Sequence, residues 1–235
     1  FALFIMIAMQ NLIAYSVNMA DNIMLGAYSQ NALSGAATVN QIFFVVQQLS
    51  MAIGEALVTI SSQYWGKKEL GPVKNLTFIA VFTALLFGAF MLVATTFFDY
   101  EILRFFTTDA GILAEGVKYL RALSPSFIPF VLSGAIGAAL RSVESPKIIT
   151  AASGTGFVIN LILDYLLIFG KLGFTKLGIS GAAIATVIAR FSEFLILLVY
   201  ALFIDKKLKP RLADLLVADI RTAAGFSRYT TPLVL

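Results

Sequence analysis

Residues 75–98 read NLTFIAVFTALLFGAFMLVATTFF, twenty-four residues without a single charge. A helix needs roughly 20 mostly apolar residues to cross the hydrocarbon of a bilayer, so this run is long enough to span one. The pattern repeats on either side. Residues 1–20 carry no charge, and the first segment closes near Gly26. Residues 22–54 are uncharged, and the apolar run beyond them reaches Trp65 with only Glu55 interrupting. Residues 122–140 are uncharged, 148–170 is broken only by Asp164, and 177–204 only by Arg190 and Glu193. These runs predict six membrane-spanning helices over residues 1–220. A seventh begins near Arg221 and runs to Leu235. Two longer connections, 99–112 and 205–220, each have room for a short interfacial helix.

Composition agrees across the 235 residues: 59% are hydrophobic, 13% are charged, and the mean hydropathy is +0.90. A soluble domain averages about a quarter charged, so a water-soluble globule is excluded and the fold class is all-α and polytopic. Cys and His are both 0. That removes disulfides, thiolate nucleophiles, thiolate or imidazole metal sites and histidine proton relays. No Walker motif occurs, and the glycines after Gly178 follow no strand and precede no Lys-Ser or Lys-Thr, so nucleotide hydrolysis has no support. Without Cys or His, and with no Ser–Lys pair at one depth, a membrane hydrolase has little to stand on, and no cofactor is implied. The net charge of +4 on so apolar a chain points to a lipid surface and not to nucleic acid.

Lys and Arg placement predicts orientation. The connections 66–75, 141–147 and 205–228 hold eleven basic residues, whereas 27–32, 99–121 and 171–177 hold five. The first set is expected on the cytoplasmic side of a cell (inner or plasma) membrane, with the N-terminus cytoplasmic. The first helix has no basic n-region or cleavage site and is not read as a signal peptide. Both ends fall inside apolar segments, so the chain is expected to be part of a longer polypeptide.

Ionisable residues inside spans are expensive unless they face a bundle interior or water. Five are present: Asp21, Glu55, Asp164, Arg190 and Glu193. At about 1.5 Å of rise per residue, Asp21 sits ~7 Å below Gly26, Asp164 ~9 Å below Gly170, and Thr186 ~12 Å below Gly178. Asn160 lies one turn deeper than Asp164 on the same face. Two carboxylates, an amide and a hydroxyl thus share one layer. On the first helix Asn11, Tyr15, Asn18 and Asn22 recur at helical spacing. On the second, Gln41, Gln48, Glu55 and Ser62 stand seven apart. Such stripes either hydrogen-bond between helices or wall a hydrated cavity. Arg190 can pair with Glu193 three residues on, or with a carboxylate elsewhere, and Glu55 is either a second protonation site or a partner for Arg190. Pro125 and Pro129 should bend the fourth helix, and the small residues Ser133, Gly134 and Gly137, like those after Gly178, should pack closely against neighbours.

Five segments carry a family resemblance: Val17-Asn-Met-Ala-Asp21-Asn-Ile-Met-Leu-Gly26, Ser62-Gln-Tyr-Trp-Gly66-Lys-Lys68, Arg141-Ser-Val-Glu-Ser-Pro146, Asn160-Leu-Ile-Leu-Asp164-Tyr-Leu-Leu-Ile-Phe-Gly170 and Gly178-Ile-Ser-Gly-Ala-Ala-Ile-Ala-Thr186. In this order the chain resembles the N-terminal half of the multidrug and toxic compound extrusion family. The resemblance implies one six-helix lobe (residues 1–220) of a pseudo-symmetric twelve-helix transporter. Residues 221–235 would open the second lobe, with Arg228-Tyr-Thr-Thr-Pro232 similar to its usual start. It further implies export of cationic amphipathic drugs in exchange for H⁺ or Na⁺. The cation site would comprise Asp21, Asn160, Asp164 and Thr186, which would also be the Na⁺ ligands if sodium is the coupling ion. Asn18, Glu55 and Arg190 are secondary candidates. Many relatives have a proline early in helix one where this chain has Met6, so bending of that helix does not carry over. The implied partners are small cationic drugs, the bilayer and a C-terminal six-helix lobe. The competing expectations are a lipid-linked precursor flippase of the same superfamily, or a non-transport receptor or membrane subunit.

Overall fold

Every charge-free run forms a helix. The computed structural model describes residues 2–205 and 207–208, with the side chains of 2–7, 9–11, 13, 14 and 17 left out of that description. The helices are α1 (Ala2–Tyr28), α2 (Gln30–Gly66), α3 (Leu70–Phe97), α4 (Asp99–Arg104), α5 (Ala110–Leu123), α6 (Phe127–Ser142), α7 (Lys147–Phe169) and α8 (Ile179–Val199). No strand occurs among the described residues. Five stretches are long and apolar enough to cross a membrane: Gln30–Gly66, Leu70–Phe97, Ala110–Ser142, Lys147–Phe169 and Ile179–Ile204. The 27 residues of α1 give it the length of a sixth. The expected seventh helix, the Arg228–Pro232 segment and the Met6 side chain lie outside the described residues.

The fourth span departs from its expected bounds. It starts at Ala110 and not near residue 122, because α5 is amphipathic. Lys118 and Arg121 stand on its exposed face while Leu113, Tyr119 and Leu120 are buried. A charge-free window therefore starts late on a helix whose charges all point one way. Asp109 caps it, accepting from the backbone N–H of Gly111 and Ile112 at 2.8 and 2.9 Å. Pro125 lies in a single 3₁₀ turn, Ser124–Ser126, which joins α5 to α6 without ending the span. The short helix α4 occupies the first of the two long connections, and Arg121 ties it down by pairing with the buried Asp99 at 2.7 Å.

Lipid tails are as apolar as leucine, so close packing, not burial, holds such a bundle together. Small residues permit it. A Cβ on Gly181 would stand 2.7 Å from the carbonyl carbon of Leu167, which is why α8 lies directly against α7, the most extensive helix pair among the described residues. A Cβ on Gly35 would meet the backbone nitrogen of Gly116 at 2.8 Å, so α2 and α5 touch backbone to backbone. Two apolar clusters fill the rest, one around Leu25, Val39, Leu120 and Phe127, the other around Leu57, Leu76, Leu140 and Leu197.

Candidate functional site

Helix α7 lies between α1 and α8, and this places the site. Asp164 and Asn160, four residues apart, project from one face of α7 and are fully or almost fully buried. Asp21 reaches them from α1 and is 7% exposed; Thr186 reaches them from α8 and is 9% exposed. The side chains of Asp21 and Asp164 meet within hydrogen-bonding reach. The Nδ2 of Asn160 donates to Thr186 Oγ1 at 3.4 Å. Four residues on three helices thus converge on one point.

The donor inventory at that point is one-sided. Both carboxylate oxygens of Asp164, Oδ1 of Asp21 and Oδ1 of Asn160 are buried and receive no well-formed hydrogen bond, although the Asn160 amide stands beside Asp164. Ionised carboxylates only accept, so the Asp21–Asp164 contact sets acceptor against acceptor. Buried acceptors without donors, three of them on carboxylates, are costly unless a positive charge joins them. The set is all oxygen, which fits a hard cation such as Na⁺, and it fits a proton equally. Among the described residues no group of three or more acidic, His or Cys side chains gathers for a metal of higher charge.

Tyr119 was missed in the sequence. It comes from α5, is 3% exposed, and its hydroxyl lies in the field of both aspartates and in hydrogen-bonding reach of Thr186. A tyrosine three residues after a glycine on a charged amphipathic helix gives no signal of this. The packing of α5 against α2 and α8 brings that helix inward.

The secondary candidates separate. Arg190 lies near enough to act on Asp21 but pairs with Glu193 at 3.1 Å, one of the two arrangements its spacing allows. Its guanidinium also lies over the ring of Phe130 at 5.0 Å, and Ser153 donates to the other oxygen of Glu193 at 2.6 Å. Glu55 is not a partner of Arg190. It stands on the exposed face of α2, where its charge acts on Arg141 of α6. Asn18 is exposed on α1, whereas Asp21 one turn on is buried. Other members of the polar stripes are exposed as well. Tyr15 and Asn22 on α1, and Gln41, Gln48 and Ser62 on α2, are exposed, so they do not bond between helices within this bundle. The side chain of Asn11 lies outside the described residues.

Comparison with known proteins adds the family. The MatE family model matches residues 7–166. "Probable multidrug resistance protein NorM" of Thermotoga maritima is 32% identical over 183 residues, 77% of this chain and 39% of its own length. "Probable multidrug resistance protein YoeA" of Bacillus subtilis is 29% identical over 170 residues, 72% of this chain and 37% of its own. Among solved structures, a MOP superfamily transporter from Pyrococcus furiosus superposes with a TM-score of 0.87 at 19% identity, covering 98% of this chain and 50% of that one. An inward-facing multidrug resistance MATE family transporter gives 0.83 at 19%, over 93% and 49%. The chain therefore spans about two-fifths of the length of these curated relatives and half of these solved transporters. This all-helical, multi-pass membrane chain belongs to the MatE family, a family of multidrug transporters and not of enzymes.

Proposed function

We propose that this chain is the N-terminal half of a secondary active antiporter that exports cationic amphipathic compounds in exchange for H⁺ or Na⁺. The observation that carries this reading is the buried Asp21–Asp164 pair, in which three of the four carboxylate oxygens, with Oδ1 of Asn160, lack donors. Two carboxylates sharing a desolvated site resist being ionised together, so the pair accepts a single positive charge readily. A proton discharges it. A sodium ion does the same, held by the carboxylates with the amide oxygen of Asn160 and the hydroxyl of Thr186. Tyr119 and Arg190 border the pocket and adjust its field. Once the pair is discharged, a cationic guest that depends on the negative field is released, and competition between the two cations couples their fluxes. A second six-helix lobe would complete the path. The basic connections would face the cytoplasm and the site would lie toward the outside of the cell membrane.

The test is efflux of a fluorescent organic cation from vesicles under an imposed sodium gradient and, separately, an imposed pH gradient. Asp21→Asn and Asp164→Asn should each abolish gradient-driven efflux while the protein stays folded in detergent. Normal transport by both variants refutes the reading. The gradient that drives wild-type efflux identifies the coupling ion.

A further inference from the structure

We propose that the coupling cation reaches the Asp21–Asp164 pair through this lobe's own outer surface, by way of a polar vestibule at Glu115 and an apolar gate beneath it. The proposal rests on the transport reading above and adds the route by which its cation enters.

Three segments that the charge placement sets on the outer side meet at one cavity of about 450 Å³. Tyr28, Ser29 and Asn31 line it from the turn between α1 and α2, Ala114 and Glu115 from α5, and Lys176 from the connection between α7 and α8. Carboxylate, amide and hydroxyl oxygens are the ligands a hard cation takes. The Glu115 side chain is 23% exposed, and its partner Lys118, 2.7 Å away, is 59% exposed. A surface pair of this kind is worth little, so a cation from solution can take the place of Lys118. The ammonium of Lys176 is drawn aside onto the Tyr28 ring, 5.0 Å from its centre.

The vestibule stands in register with the cation pocket. Four residues outward of Asp21 on α1 is Leu25, four outward of Asp164 on α7 is Ile168, and four outward of Thr186 on α8 is Ala182. All three are 0% exposed and belong to one apolar cluster. Residues four apart lie one above the other on a helix face, so these three roof the pocket. On α5 the residue in the same relation to Tyr119 is Glu115, which lines the vestibule. One helical turn, about 6 Å, thus separates vestibule from pocket. An apolar layer this thin bars a hydrated cation while dry and passes it when it parts and wets. Tyr28, three residues above Leu25, closes the outer side. The end of its ring lies against the backbone of Gly178, where an added Cβ would stand 2.5 Å from the hydroxyl oxygen. Packing on Gly178 and the cation–π contact with Lys176 hold the ring there, and such a contact at an exposed site is weak enough to break in each cycle.

The chain has no cysteine, so single cysteines can be labelled without background from it. Asn31→Cys and Ala114→Cys in the vestibule, with Phe105→Cys as a control at a 94% exposed position, would be made in the full-length polypeptide in right-side-out vesicles. Efflux of a fluorescent organic cation is measured against the external concentration of the driving ion, sodium or proton. Each variant is first labelled with an impermeant methanethiosulfonate, either cationic or anionic. At both vestibule positions the cationic label should raise the half-saturating concentration about threefold or more and the anionic label should not, because a charged cleft steers ions by its sign. Phe105→Cys should respond to neither. Glu115→Gln should raise it about two- to fivefold, the worth of an exposed carboxylate to a cation, with the maximal rate unchanged. Labels that act alike or not at all, or wild-type half-saturation in Glu115→Gln, overturn the proposal. Such a failure with efflux still abolished in Asp21→Asn leaves ion coupling standing. The expected label effects with normal efflux in both aspartate variants sink the coupling reading instead.

Discussion

Replacing Arg190 alone should unfold this bundle more readily than replacing Arg190 and Glu193 together. Arg190 Nη1 stands 3.1 Å from Glu193 Oε2, with the side chains 26% and 12% exposed. Arg190→Met keeps an apolar stem of similar length. It strands the Glu193 carboxylate with one remaining donor, the Ser153 hydroxyl at 2.6 Å. Breaking a buried pair costs about 3–5 kcal/mol, which the residual hydrogen bond and partial exposure reduce to ~2–3 kcal/mol. The contact of the guanidinium with Phe130 adds about 0.5–1 kcal/mol. For a chain of this size each kcal/mol is worth about 2–4 °C, so Arg190→Met should melt about 5–16 °C below wild type. Arg190→Met combined with Glu193→Leu replaces both charges by apolar groups and should stay within about 1 kcal/mol of wild type. The assay is thermal unfolding in detergent of both single variants and the double. If Arg190→Met melts with wild type, or the double variant melts as low as Arg190→Met, the two charges are not coupled and the reasoning fails.

Gly181→Ala should destabilise by about 2 kcal/mol or more, because the added carbon meets backbone and no side chain can rotate away; unchanged melting would show that α7 and α8 separate freely. Asp164→Asn should raise the melting temperature in ion-free buffer, since it removes one of two buried charges that lack donors. If sodium is the coupling ion, wild type at a hundredfold excess over its dissociation constant should gain about 2.7 kcal/mol. Melting curves in sodium against choline chloride should show that gain in wild type and none in Asp164→Asn. A full sodium response in the variant would place the ion elsewhere.

What the sequence by itself determined is whatever depends on position along a single helix. Charge-free runs of about 20 residues located the spans, because the bilayer imposes its thickness on any helix that crosses it. A constant rise per residue set the depths of Asp21, Asn160, Asp164 and Thr186, so their common layer was legible. The i, i+3 spacing of Arg190 and Glu193 made their pairing one of two options. The tertiary structure alone decided everything that depends on how the helices are rotated and how closely they approach. It brought Asp21 of α1 against Asp164 of α7, moved Tyr119 to the edge of the pocket, and gave Glu55 the company of Arg141 in place of Arg190. It also turned the amides of α2 outward. Rise is a local property of the backbone, but facing is set by contacts between distant segments such as Gly181 on Leu167 and Gly35 on Gly116, and no window of sequence contains both partners.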